Sequence, residues 1–245
     1  MTGSAIRLHV DQPLAEGQAV LLDEGDAHYL FSVMRMAVGA SLSVFNGRDG
    51  EWQAEIGEMG RKRGILICQR QISRPQMPPD LWLLFAPLRR ERTAYVVEKA
   101  VELGVARILP VITRRTNAER FRADKARAHA KEAAEQCGAI WLPEIDEPRR
   151  LDTLLADWPS DRALFWADET LSQKGAPAGM AGPPGPGAIL IGPEGGFTPE
   201  ERDWLAGLGH IRPFALGPRI LRAETAAVAA LVLWQSRFGD WAGKA

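Results

Sequence analysis

Over the first 73 residues the apolar positions fall in short runs, IRLHV, AVLL, SLSVFNG, EWQAEI and GILICQRQI, with Gly, Asn and Asp between them. Runs of that length bounded by turn residues predict strands. One segment differs: in DAHYLFSVMRM, residues Tyr29, Leu30, Val33, Met34 and Ala37 repeat at helical spacing behind Asp26 as the cap. The pattern over residues 1–73 predicts a small β-barrel with one helix.

The stretch SRPQMPPD, residues 73–80, carries three prolines and breaks regular structure, so residues 74–80 are predicted to be a linker. From residue 81 the pattern alternates. Strand candidates LWLLFAPL, RILPVI, ALFWAD, AILIG and RPFALG are separated by helical candidates at 91–104, 118–138, 149–157 and 199–208, with a last helix at 224–239. Short apolar runs between amphipathic helices imply an α/β domain over 81–245 with a mostly parallel sheet. The Pro/Gly-rich QKGAPAGMAGPPGPGA, residues 173–188, is predicted to be a flexible loop. Its GPPGPG precedes a strand and opens no helix, so it is not a dinucleotide fingerprint. No GxxxxGK[ST] occurs either, which weakens a P-loop reading.

Composition adds exclusions. No run of about 18 apolar residues occurs, and MTGSAIRLHVDQ lacks a secretory pattern, so a soluble, cytoplasmic protein without membrane partners is expected. Cys68 and Cys137 lie far apart, and His9, His28, His129 and His210 are scattered; two reduced thiols and no metal are expected. The net charge of −1 is a cancellation: residues 61–130 hold 16 Lys and Arg against 6 Asp and Glu, and the remainder 14 against 25. A bias sustained through the loops RKRG and TRRTNAERFR, beyond the one helix-like run RFRADKARAHAKE, points to a basic face for a polyanion.

The chemistry concentrates at two junctions. AILIGPEGGFTPEE ends a strand in Gly-Pro and opens a helix with Thr198, Pro199 and Glu201, a capping box with a first-turn proline. Capping leaves Gly192, Gly195 and Gly196 unexplained, a length of bare backbone beyond a strand's carboxyl end. FALGPRILRAETAA repeats the design; two such loops either build one pocket at that edge of a parallel sheet or serve only as tight connectors, and the pocket is the expected reading. Here Arg219 and Arg222 precede a helix whose N-terminus favours anions, so they cost stability unless a negatively charged group joins them. Glu224 fits as a first-turn acid and Thr225 as a possible cap.

In their order along the chain, HYLFSVMRMAVGASLSVFNG, LLFAPLRRERTAYVVEKAVELGV, EAAEQCG, ILIGPEGGFTPEE and LGPRILRAETAAVAAL resemble the bacterial 16S ribosomal RNA uracil-N3 methyltransferases, the RsmE family of the SPOUT superfamily. The paired IGPEGG and LGPRILRxET motifs carry the specificity. The resemblance implies a PUA-like RNA-binding barrel, an α/β methyltransferase domain with a C-terminal trefoil knot around S-adenosylmethionine, and a homodimer. Periodicity alone cannot show a knot, since knots are nearly absent among folds. By the resemblance, the substrate is 16S rRNA or the assembled small ribosomal subunit. The cofactor residues are then those after LFWAD and in the two loops: Ala167, Ile191, Gly192, Pro193, Gly195, Gly196, Leu216, Gly217, Arg219, Ile220, Leu221 and Thr225. Arg222 is placed to stabilise charge on the deprotonating base; Glu224 either accepts the proton or holds Arg222. Arg7, Arg35, Arg48, Arg89, Arg90, Arg114 and Arg115 are the candidates for RNA contact, with Arg35 equally readable as a helix-end cation. Ala139 and Trp141 stand where the family usually has basic residues, and Trp141 either stacks on a base or packs in the core. A ribose 2′-O-methyltransferase on tRNA or rRNA and a non-catalytic RNA-binding assembly factor are the competing readings.

Overall fold

The computed structural model describes residues 6–60, 62–116, 121–175, 179–182 and 184–243. Arg61 of the basic loop, the predicted helix start at 118–120 and residues 176–178 and 183 of the Pro/Gly loop lie outside the described residues. The chain forms two compact units, Met1–Met77 with Ala134–Leu142, and Pro78–Ala133 with Pro143–Ala245. Residues 134–142, placed by the linker boundary in the second domain, group with the first.

In the first unit β1 (Arg7–His9), β2 (Ala19–Leu22), β3 (Ser41–Phe45), β4 (Glu51–Met59) and β5 (Gly64–Ser73) form a sheet ordered β1-β3-β4-β5-β2. The β1-β3 pair is parallel and the others antiparallel. Leu8, Val20, Val44, Ile56 and Leu66 are almost fully buried, each worth about 1.5–3 kcal/mol in transfer free energy. No backbone ladder joins β1 to β2 among the described residues; instead the Gln12 side chain accepts from Leu21 N–H at 2.7 Å and donates to its carbonyl at 2.8 Å. The helix α1 (Glu24–His28) continues as a π-helical turn, Tyr29–Val33. Its cap is Asp23 and not the predicted Asp26: Asp23 Oδ1 accepts the Asp26 N–H at 2.7 Å, which leaves Asp26 as a first-turn acid.

Arg7, expected to contact RNA, is engaged within the first unit. Its Nε donates to Glu51 at 2.8 Å, Nη1 to the Ala134 carbonyl at 2.6 Å and Nη2 to the Ala139 carbonyl at 3.0 Å, with the guanidinium 4.6 Å from the Phe45 ring centre. Every guanidinium nitrogen is thus engaged inside the unit, and the side chain is only 14% exposed. Nearby, Ala139 is buried and Trp141 is half-buried beside Gly47.

The second unit runs β6 (Leu81–Phe85), α2 (Arg90–Glu102), β7 (Arg107–Ile112), α3 (Ala123–Cys137, its last turn in the first unit), β8 (Glu144–Ile145), β9 (Arg149–Arg150) and α4 (Leu151–Ala156). It continues through β10 (Ala163–Ala167), α5 (Glu169–Gln173), β11 (Gly187–Ile191), α6 (Pro199–Ala206), β12 (Ile211–Phe214) and α7 (Ala223–Phe238). The strand order is β12-β10-β11-β6-β7-β8, every pair parallel, with β9 beside β7. All five residues of β11 are buried, as an interior parallel strand requires. β12 lies at the edge and so tolerates Pro213. α4 is shorter than predicted because Arg149 and Arg150 pair with β7 as β9. At the amino ends of the strands, Arg162 is 7% exposed, bonds both Asp80 oxygens at 2.8 Å and the Gly187 carbonyl at 3.0 Å, and stacks 3.7 Å from the centre of Trp82. No helix among the described residues is long and apolar enough to cross a membrane.

Candidate active site

In the order β12-β10-β11 three carboxyl ends lie side by side. The loops leaving them enclose a cavity of about 460 Å³, with Arg92 from the first turn of α2 also in its wall. Ligands of open parallel sheets sit at this edge because backbone groups there are free of ladder bonds.

The β11 loop supplies bare backbone. A Cβ at Gly192 would stand 2.7 Å from the Phe197 ring, and Gly196 has φ +68° with its Cβ position 2.9 Å from Glu169 Oε1. Neither position accepts an ordinary side chain without a shift. The loop is pinned from outside: Arg115 donates to the Gly195 carbonyl at 2.6 Å, and Arg114 gives its N–H to Glu201 at 2.8 Å and its guanidinium to Glu200 at 3.2 Å. These two arginines, predicted for RNA, are engaged by the loop and by α6. The capping box forms as predicted, Thr198 N–H to Glu201 at 2.9 Å and Glu201 N–H to Thr198 at 3.3 Å. On the β10 side, Asp168 caps α5 through Thr170 N–H at 3.0 Å and is held by Arg202 at 2.9 Å.

Of the residues predicted to hold a cofactor, Ala167, Ile191, Gly192, Pro193, Gly195, Gly196, Leu216, Arg219, Ile220 and Leu221 line the cavity, as does Arg222. Gly217, Glu224 and Thr225 are outside its lining. Thr225 is exposed in the first turn of α7, whose cap position is Arg222, so the predicted threonine cap does not form.

Arg92 is the wall residue that sequence reasoning missed. It donates to Glu194 of the β11 loop, and its Nε stands 3.5 Å from Glu224 Oε1 on α7, so one guanidinium ties three elements together. Glu224 therefore faces Arg92, not Arg222 as one reading required; its Oε2 is buried without a hydrogen-bond partner among the described residues. No pattern in the sequence singles Arg92 out from Arg89 and Arg90; only the sheet order brings it to the two motifs. By contrast, the guanidinium groups of Arg219 and Arg222, exposed in the cavity lining, carry no hydrogen bond or ion pair among the described residues. The partnered Arg162 stabilises the opposite edge, whereas these two guanidinia sit by a positive helix end at a cost of a few tenths to about 1 kcal/mol. The arrangement leaves two free cations over a cavity with a bare-backbone wall, which suits a group that gains negative charge.

Of the other arginines predicted for RNA, Arg35 is exposed in a left-handed conformation, φ 55°, where a helix end ordinarily takes glycine. Arg48 is exposed and donates to the Asp11 carbonyl at 2.7 Å. Arg89 and Arg90 are exposed at the start of α2, their side chains with no partner among the described residues.

Residues 75–235 match the family described as RNA methyltransferase domain, and residues 22–67 the RNA methyltransferase PUA domain. The ribosomal RNA small subunit methyltransferase E of Rickettsia conorii is 28% identical over 228 residues, 92% of this chain and 93% of its own. Among solved structures, the ribosomal RNA small subunit methyltransferase E of Neisseria gonorrhoeae bound to S-adenosyl methionine has a TM-score of 0.85 at 25% identity, covering 96% of this chain and 99% of that one. A methyltransferase of Legionella pneumophila in complex with bound SAM has a TM-score of 0.83 at 31% identity, covering 96% and 98%. A PUA domain followed by a parallel-sheet domain is thus matched along nearly the whole length, and the chain belongs to the RNA methyltransferase family of the ribosomal RNA small subunit methyltransferases E.

Proposed function

We propose that this chain uses S-adenosylmethionine to methylate N3 of one uridine in 16S ribosomal RNA, in the cytoplasm. The observation that carries the reading is the unpartnered Arg222 at the mouth of a cavity walled by Gly192, Gly195 and Gly196. The cavity fits the cofactor: it is large enough for a nucleoside, Ile191 and Leu216 give it apolar walls, and a Cβ at Gly192 would push Phe197. Ala167, Ile191, Gly192, Leu216 and Arg219 through Leu221 would hold it, and when bound it supplies an electrophilic methyl on a sulfonium.

The residues of the chain do the rest. Methylation at N3 requires loss of the imide proton, here to solvent water, which leaves negative charge on N3 and the flanking carbonyl oxygens. Arg222, exposed and free, stabilises that charge as a preorganised donor. Glu224 works through Arg92, holding it in the wall together with Glu194. N3 lies on the pairing edge, so the uridine enters unpaired or flipped. Incubated with unmodified 16S rRNA and labelled S-adenosylmethionine, the protein is expected to place label in the base of a single uridine. Label on ribose, or none in either naked RNA or assembled subunits, overturns the reading.

The finer architecture belongs to the same proposal: the first unit is a PUA-like barrel that grips RNA, and the segment after β12 passes through a trefoil knot. The enzyme works as a homodimer. Ile220 is 67% exposed and Tyr95, on α2, 41%, while Val228, Ala229 and Val232 form a half-exposed apolar stripe on α7. Such a stripe between packed helices is suited to a second copy. Light scattering at micromolar concentration is expected to give twice the 26.9 kDa chain mass; a monomer there contradicts it.

A further inference from the structure

The amino end of α2 serves two cavities. Arg92 lines the active-site cavity, whereas Arg89 and Arg90 line a second cleft of about 600 Å³ between α2 and α3. From the other side Arg122, Lys125 and His129 line it, and no carboxylate does among the described residues. Its remaining wall is apolar, Val97 and Ala126 among it, and the Thr93 hydroxyl is turned away, bonded to Leu88 N–H at 3.0 Å and to Leu88 carbonyl at 3.1 Å. Recognition there falls to the cations.

Those cations are mostly free. The side chains of Arg89, Arg90 and Lys125 have no hydrogen bond or ion pair among the described residues. Arg122 pairs with its near neighbour Asp124 at 3.1 Å, an exposed contact that exchanges easily for another anion, and His129 Nδ1 stands 3.9 Å from Glu98 and from Glu132. Like charges crowded round a concave site repel one another, and a polyanion relieves that repulsion. An apolar floor under a cationic rim matches a ribose-phosphate chain, with sugar on the floor and phosphates at the rim.

We propose that this cleft is a phosphate-binding subsite that grips the backbone of the substrate RNA beside the nucleotide being methylated. The inference rests on the reading of the chain as an RNA methyltransferase and adds where its RNA is held. The two cavities share α2, a helix about 10–12 Å across with its side chains, so a backbone held in the cleft stays close to a base entering the other cavity. In this division Arg222 meets one base and the cleft reads no sequence.

The test is the triple variant Arg89→Gln, Arg90→Gln, Lys125→Gln. None of the three side chains holds the fold, and Arg89, at the cap position of α2, makes no side-chain cap bond. Binding to unmodified 16S rRNA is expected to weaken at least about tenfold at about 150 mM salt, and the slope of log K against log salt to become shallower by about two, near 0.7 per lost phosphate contact. KM for RNA rises in step, while kcat at saturating RNA and the affinity for S-adenosylmethionine stay within about twofold. Unchanged RNA affinity and slope overturn the subsite alone. So does micromolar binding of inorganic pyrophosphate that the variant loses with RNA affinity untouched, which assigns the cleft to a free polyphosphate. A wild-type protein that binds S-adenosylmethionine but no RNA overturns the functional reading, and the subsite with it.

Discussion

Arg222→Ala is expected to lower kcat by about 10²–10³-fold, the loss typical when one preorganised donor to a developing oxyanion is removed. The dissociation constant of S-adenosylmethionine is expected to stay within about threefold, because the guanidinium acts on charge that appears only as the base loses its proton. Two features separate this from a folding defect. Arg222 occupies the cap position of α7 without making a side-chain cap bond, so alanine removes no bond from the helix. It also removes a cation from the positive end of the helix, so thermal stability is expected to hold or to rise by a few tenths of a kcal/mol. An inactive variant at least as stable as the parent marks a residue placed for chemistry. If cofactor affinity collapses along with turnover, Arg222 holds the cofactor and the assigned role is wrong.

Gly192→Ala is expected to weaken S-adenosylmethionine binding at least about tenfold, with a stability cost of about 1–3 kcal/mol from overpacking. The added methyl would stand 2.7, 3.1 and 3.3 Å from three atoms of the Phe197 ring. That ring cannot retreat easily: it is 4% exposed and meets Trp166, itself 2% exposed, edge to face at 5.7 Å. The strain is relieved by moving the loop, which is the cavity wall. Gly195→Ala is the internal control, since its Cβ would meet Arg115 Cδ at an ordinary 3.4 Å; its cofactor affinity is expected to stay within about threefold. Equal losses at the two glycines, measured by calorimetry, would mean that chain flexibility and not close approach sets the requirement.

The contrast between those glycines shows where the sequence is legible. The strand, Gly-Pro, cap, helix order of AILIGPEGGFTPEE can be read directly, because each step is a local preference of neighbouring residues, and the capping box forms as predicted. Which glycine is indispensable is not local: Gly192 depends on the packing of Phe197 against Trp166, residues on different strands and loops. Arg92 was hidden for the same reason. It lies 102 residues from Glu194 and 132 from Glu224, and meets them only because β11 lies beside β6 in the sheet. Arg7 shows the converse: a basic residue on a first strand suggests RNA, and nothing local displays the carbonyls of Ala134 and Ala139 that its guanidinium meets. Short elements such as α5, β8 and β9 carry too few residues to display a period.

The central claim is that the methyl donor lies between the two Gly-Pro loops, beside Arg222. A crystal structure with S-adenosylhomocysteine and a uridine-containing RNA fragment tests it most directly. The nucleoside is predicted in the cavity between Gly192–Gly196 and Leu216–Leu221, with the uracil edge within hydrogen-bond reach of Arg222. Density for the nucleoside elsewhere, with those loops packed against each other, would contradict the account.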